Sequence, residues 1–307
     1  MSESSLRIGT RGSPLAVRQA GAVRDRLVAV RPQAPAPEIV VIRTAGDAVT
    51  DRPLAEVGGK GLFTKEIDRA QLEGEIDIAV HSAKDMETWL ADGIAIAAAL
   101  EREDPRDALI GAESIAAIPA GGRVGTASLR RRAQLLAVRP DIETVLIRGN
   151  VDTRLQKIAD GAADVTFLAY AGLRRLGRAA AADAVLNVDE MLPAAGQGII
   201  AITRRADDDA VSQALREISD PVAMTCLRTE RAMLDALDGT CHTPIAGLAT
   251  IDGDRLHLSG LAVWPDGHGL VRLEESGPIS EPEALGAAVG GALRTRMGPE
   301  FFEALGD

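Results

Sequence analysis

Apolar and polar positions alternate along this chain in two stretches with one rhythm and a third stretch with another. "LRIGT" (6–10) reads as a strand, and "SPLAVRQAGAVRDRLVAV" as a helix with Ser13 as N-cap and Pro14 in its first position. Leu15, Gln19, Val23, Leu27 and Val30 recur near helical spacing, with Gln19 the polar interruption. "EIVVIRT" (38–44), "IDIAVHS" (76–82) and "IAIAAAL" (94–100) read as strands, and "LFTKEIDRAQLEGE" as a helix. The rhythm restarts after "EREDPRDALIG". "GRVGT" leads into helix "SLRRRAQLLAVRP", "ETVLIRGN" into helix "VDTRLQKIADG", and "DVTFLAY" into "AGLRRLG". Strands alternating with helices of this length imply parallel sheets, so two α/β lobes facing a cleft are expected.

The final third changes character. "PVAMTCLRTERAMLDALDG" is a long helical pattern, followed by strand-like "IAGLATID", "RLHLSGLAVW" and "GLVRLEES" and a terminal helix over about 281–296. This predicts a small α+β domain. "PAAGQGIIAIT" (193–203) is expected to cross back into the first lobe. The expected division is 1–100 with 195–217 as lobe one, 101–194 as lobe two, and 218–307 as the C-terminal domain.

Composition narrows the class. The chain has 307 residues, 46% hydrophobic and 26% charged, as ordinary globular proteins have. Aromatics are only 2%, so Ala, Val, Leu and Ile must build the cores. The longest apolar stretch, around Ile94–Leu100, falls far short of the ~20 residues of a membrane span. "MSESSLRIGT" lacks the pattern of a signal peptide, and the chain has two cysteines, so a reducing, cytoplasmic location is expected. The net charge of −11 argues against general nucleic-acid affinity. An acidic protein can still hold a local basic cleft, so the placement of the arginines matters more than their sum.

Four polar, mostly cationic clusters end proposed strands: "TRGS" (10–13), "HSAKD" (81–85), "GTASLRR" (125–131) and "RGNVDTR" (148–154). Strand ends are where α/β proteins build sites. Arg130, Arg131 and Arg132 fall in the first turn of a helix, where the macrodipole already presents positive charge. A bound anion would relieve that conflict; a solvated helix face is the plainer alternative. The implied ligand carries several carboxylates or phosphates, and Arg forks suit carboxylates. Asp85 in "HSAKD" would repel such anions. It either stabilises a transient cation and moves protons, or simply pairs with Lys84 or caps a helix. Cys241 raises a separate question, since "DGTCHTP" (238–244) places a thiol in a turn-like stretch without the apolar neighbours of a core cysteine.

"RIGTRGSPLAVRQ", "GGKGLFTKEID", "DIAVHSAKD", "VGTASLRR", "LIRGNVDTRLQK", "AGLRRLG", "PAAGQG" and "GTCHTPIAG" stand in the order found in porphobilinogen deaminases, also called hydroxymethylbilane synthases, which this chain resembles from Arg7 to about Gly247. The resemblance implies an α/β fold of two doubly wound, periplasmic-binding-protein-like lobes around a cleft, plus a small α+β C-terminal domain. It implies a transferase of tetrapyrrole biosynthesis that condenses four porphobilinogen molecules head to tail, releasing ammonia, then hydrolyses the chain to hydroxymethylbilane. A dipyrromethane cofactor, bound to cysteine by a thioether, primes that reaction, and the matching residue is Cys241. By motif match, Arg11, Ser13, Lys84, Thr126, Ser128, Arg130, Arg131, Arg148 and Arg154 would bind the acid groups of cofactor and substrate. Gln19 also occupies a motif position. Asp85 matches the family's catalytic carboxylate, which binds pyrrole N–H groups and stabilises the azafulvene-type cation left by ammonia loss. Lys60 and Phe63 would lie near the cofactor or on a loop covering it. The family's members are typically monomers, and no membrane partner or metal is expected.

The sequence departs from the usual pattern at Ala127, where Ser is common, at Glu87, where Pro usually follows "KDM", and in the bulkier "GQGIIAI". Two other classes remain open at this point. A solute-binding or effector-sensing module would need neither a loop cysteine nor Asp85. A metal site of Cys226, Cys241, His242 and His81 lacks paired ligand spacing, and Cys226 is expected in an apolar helical row with Val222, Met233 and Leu237.

Overall fold

The computed structural model describes residues 5–44, 64–239 and 243–306. They fall into two compact units, Met1–Glu103 with Ile199–Met224, and Asp104–Gly198 with Thr225–Asp307.

Unit one begins with β1 (Arg7–Arg11) and α1 (Pro14–Val30). Ser13 caps α1 by accepting from Ala16 N, and Pro14 supplies a φ suited to the first turn. Gln19, Ala20, Val23 and Leu27 form its buried face, whereas Val30, expected on that face, is exposed. β2 (Glu38–Ile42), α2 (Lys65–Leu72), β3 (Ile78–Ser82), a 3-10 turn at Ala83–Asp85 and β4 (Ile94–Ala99) follow. Ile8, Val23, Leu27, Ile78 and Val80 pack on one face of the sheet, and Ile67, Ala70, Ile76 and Ala79 on the other.

In unit two, β5 (Asp107–Ile110) precedes β6 (Arg123–Gly125), α3 (Leu129–Val138), β7 (Glu143–Val145), α4 (Val151–Ala159), β8 (Val165–Ala169), α5 (Tyr170–Arg175) and β9 (Ala184–Val185). β10 (Ile200–Arg205) and α6 (Asp209–Arg216) then belong to unit one. α7 (Pro221–Ala236) ends mostly in unit two, ahead of β11 (Ile245–Asp252), β12 (Arg255–Ala262), β13 (Val271–Pro278), α8 (Pro282–Met297) and α9 (Pro299–Gly306).

The two large sheets run β2-β1-β3-β10-β4 and β7-β6-β8-β5-β9. Neither is wholly parallel, which corrects the sequence expectation. β10 lies antiparallel between β3 and β4, and β5 antiparallel between β8 and β9. Each of these strands enters its sheet directly from the other unit, at Gly198/Ile199 and at Glu103/Asp104. No helical crossover returns the chain to the starting edge, so the parallel rule does not govern them. The third sheet is the antiparallel meander β11-β12-β13.

The meander is welded to the rest of unit two. Ala133 and Leu192 pack with Ala246, Leu248, Leu261 and Val263. The fully buried Glu230 of α7 accepts from Gly196 N at 2.5 Å and Ala249 N at 2.7 Å. Cys226 lies in the C-terminal core beside Met233 and Leu237, as the sequence suggested; Val222, placed in the same row, is 51% exposed.

Candidate functional site

The four polar clusters follow the carboxyl ends of β1, β3, β6 and β7. β1 and β3 are adjacent and parallel, so "TRGS" and "HSAKD" emerge side by side at one edge of the unit-one sheet. There Arg11, Ser13, Gln19, Ser82, His81 and Asp85 line an open pocket. Gln19 is 2% exposed and bonds reciprocally with Ser82, its Nε2 donating to Ser82 Oγ at 2.9 Å and its Oε1 accepting from Ser82 Oγ at 3.1 Å. The polar break in the apolar face of α1 thus serves to tie α1 to the end of β3. Asp85 closes the 3-10 turn, part-exposed, with Lys84 beside it. The pocket therefore combines a cation, neutral donors and one carboxylate within one unit.

Glu87, the departure behind Asp85, has a measurable neighbour. Asp68 on α2 has its pKa pushed up to about 6, first by burial and then by the charge of Glu87, against a hydrogen bond with Thr64. Ala127 is exposed, so a hydroxyl there would face solvent.

In unit two, Ser128 caps α3 by accepting from Arg131 N at 3.4 Å, and Thr126 Oγ1 accepts from Ser128 N at 3.1 Å. Arg130 and Arg131 are buried, and both meet Asp107 of β5, which is wholly buried. Arg130 Nη2 lies 2.8 Å from Asp107 Oδ2, and Arg131 Nη2 donates to Oδ1 at 2.7 Å. Arg130 Nη1 donates to Leu192 O at 2.7 Å and Arg131 Nη1 to Phe167 O at 2.9 Å. Burial pulls the pKa of Arg130 below the usual arginine value, opposed by Asp107. The charge conflict at this helix start is therefore eased from inside by Asp107. Two cations on one carboxylate still leave that trio net positive, and Arg131 Nε is buried without a hydrogen-bond partner.

Asp107 also accepts from Gln197 Nε2 at 2.9 Å, and the same amide donates to Pro105 O at 2.6 Å. Gly196 and Gly198 take φ of 75° and 88°, which gives "PAAGQG" its turn and lets Gln197 reach inward. Asp107 and Gln197 were not singled out from sequence. The charged run "EREDPRD" hides a four-residue buried strand, and the arginines it serves lie more than twenty residues away.

Arg148 is buried and part-buried Arg154 donates from Nε to Gly149 O at 2.9 Å, beneath the α4 N-terminus, which Asn150 caps. Arg132 is exposed. Lys60, Phe63, Cys241 and His242 lie outside the described residues. Among the described residues, no group of three or more His, Cys, Asp and Glu side chains is placed to hold a metal ion, and no helix is long and apolar enough to cross a membrane.

Fold and site define an α/β protein with cationic and polar clusters at its strand ends and, in unit one, a carboxylate beside them. A family model described as "Porphobilinogen deaminase, dipyromethane cofactor binding domain" matches residues 6–213, and one described as "Porphobilinogen deaminase, C-terminal domain" matches 224–295. A porphobilinogen deaminase of Paracoccus denitrificans (strain Pd 1222) is 51% identical over 98% of this chain and 97% of its own. One of Nitrobacter hamburgensis is 51% identical over 96% and 94%. The solved immunogenic lipoprotein A of Vibrio vulnificus superposes at a TM-score of 0.42 and 10% identity, over 72% of this chain and 97% of its own, too loosely to carry an argument. The chain belongs to the porphobilinogen deaminase family. It is thus a transferase of tetrapyrrole biosynthesis that polymerises porphobilinogen to hydroxymethylbilane and uses a dipyrromethane cofactor.

Proposed function

We propose that Asp85 is the catalytic carboxylate of this reaction and that Cys241 holds the dipyrromethane through a thioether. The observation that carries the reading is the unit-one pocket, where Asp85 stands with Arg11, Ser13, Gln19 and Ser82 at one sheet edge. Each porphobilinogen brings an acetate and a propionate, which Arg11 and Ser13 suit as charged and neutral donors. Asp85 cannot serve those acids. It suits the opposite demand, accepting from a pyrrole N–H and facing the positive charge that develops on the substrate as ammonia leaves.

Lys84, Thr126, Ser128, Arg130, Arg131, Arg148 and Arg154 take the remaining acid groups of cofactor and growing chain in this reading. The net positive charge of the Arg130–Asp107–Arg131 trio supports that assignment. When bound, the dipyrromethane supplies the free pyrrole carbon on which the chain is extended. Lys60 and Phe63 are assigned either to contact with the cofactor or to a loop covering it. We further assign the three-part division 1–100 with 195–217, 101–194 and 218–307, a monomer without nucleic-acid partners, and the cytoplasm. The meander's own three-stranded sheet supports the third part of the division, and the net charge of −11 supports the lack of nucleic-acid partners.

Intact mass tests the anchor. The wild-type protein should carry a dipyrromethane adduct, Cys241→Ser should lack both adduct and activity, and Cys226→Ser should keep both. A Cys241→Ser protein that still formed hydroxymethylbilane at a comparable rate would overturn the assignment.

A further inference from the structure

His81, set aside as a metal ligand, has its ring proton fixed by its surroundings. β3 ends on His81 and Ser82, and successive side chains point to opposite faces. Ser82 meets Gln19 of α1. His81 shares the α2 face with Ala79, which packs against Ile67 and Ala70. On that face Gln71 Nε2 donates to the carbonyl oxygens of Thr203 at 2.8 Å and Asp77 at 3.4 Å, both acceptors only. The amide is thereby oriented, and its Oε1 accepts from Thr203 Oγ1 at 2.9 Å. With its single proton committed to Gln71, Thr203 Oγ1 meets His81 Nε2 at 3.4 Å as the acceptor. That contact requires the proton on Nε2 and leaves the lone pair on Nδ1.

A second ring proton would put a buried cation near Arg11, the other charged group acting on His81. Burial first, and then the Arg11 charge, push the His81 pKa down to about 4. Arg11 and His81 line the same pocket. β1 and β3 pair in parallel with Gly9 opposite Ala79, which sets Arg11 and His81 at neighbouring strand ends, so the ring is a neutral acceptor in the pocket that Arg11 also lines.

We propose that His81 is a positioning residue that acts through Arg11: clamped as the Nε2–H tautomer by Thr203 and Gln71, it uses its Nδ1 lone pair to orient the Arg11 guanidinium toward an acid group of the substrate. The functional half rests on the reading that Arg11 takes such a group; the tautomer does not.

The test begins with imidazole nitrogen NMR of the cofactor-loaded protein at pH 7, where the chain has only four histidines to assign. His81 should show a protonated Nε2 and a bare Nδ1, and Arg11→Leu should shift the Nδ1 resonance. A protonated Nδ1, or a resonance indifferent to Arg11→Leu, overturns the proposal. Kinetics supply the second arm. His81→Leu should keep the cofactor adduct and raise KM for porphobilinogen about tenfold, the low end for loss of a hydrogen bond to a charged group, with kcat little changed. His81→Asn, which keeps an acceptor near the Nδ1 position, should restore much of the difference. Equal KM values for Leu and Asn variants contradict the proposal. If the tautomer stands but Arg11→Leu leaves KM unchanged, the reading of Arg11 is what has failed.

Discussion

The arginines at the two sheet edges look alike in sequence, yet the molecule uses them differently. In unit one, Arg11 lines an open pocket with Ser13, Gln19 and Asp85. In unit two, Arg130 and Arg131 are buried, and Asp107 and two backbone carbonyls occupy most of their donors. A cation at a strand end is therefore not evidence of a ligand by itself. Its burial and its internal partners decide how much of its charge is available outside. If Arg11 binds as proposed, its removal should cost binding first, whereas Arg130 and Arg131 are also parts of the fold.

The largest effect that would break this contrast is on stability. Asp107→Ala leaves two buried guanidiniums without their carboxylate, and breaking a buried ion pair typically costs ~3–5 kcal/mol. Denaturant unfolding should show that loss, with Gln197 also losing an acceptor. A stability close to wild type would mean that the trio is not structural. Arg11→Leu sharpens the other side. Its folding stability should move little, while the loss of a charge-assisted hydrogen bond, ~1.5–3 kcal/mol, should weaken porphobilinogen binding by roughly ten- to a hundredfold. A large fall in melting temperature without change in KM would make Arg11 structural as well.

The smallest effect concerns the support behind Asp85. Asp68 titrates near 6 in the folded chain, above its ordinary value of 3.8, so the folded state binds its proton more tightly than the unfolded state does. That contribution to stability is complete below about pH 4 and is lost as pH rises through 6. Asp68→Asn should therefore gain stability relative to wild type at pH 8 and show little gain at pH 4. Because Asp68 is partly exposed, screening keeps the gain modest. Glu87→Gln should lower the Asp68 pKa; an identical pH profile in both proteins would remove Glu87 from the account.

Much of this was legible in sequence because the signals were local. Ser13 and Pro14 announce α1, and the clusters at 10–13, 81–85, 125–131 and 148–154 do follow strands. What stayed hidden depended on distant partners. β5 is four buried residues behind a charged run, and only its pairing with β8 makes Asp107 a core residue. The antiparallel entry of β5 and β10 follows from the chain passing between units, which no periodicity encodes. Glu230 reads as a surface residue of an amphipathic helix until Gly196 and Ala249 are seen to donate to it. The short helix α9 lies beyond the single terminal helix that the sequence predicts, set off from α8 by Gly298 at a φ of 77°.

Asp85→Asn tests the central claim most directly, because it removes one charge and little volume from the pocket. On protein already carrying its cofactor, a stopped-reaction mass series with limiting porphobilinogen follows each addition. The account predicts that the variant retains its adduct and binds porphobilinogen, while elongation slows by about 10²–10³, as expected when electrostatic stabilisation of a developing charge is lost. Elongation at the wild-type rate would contradict it and leave Asp85 a structural residue.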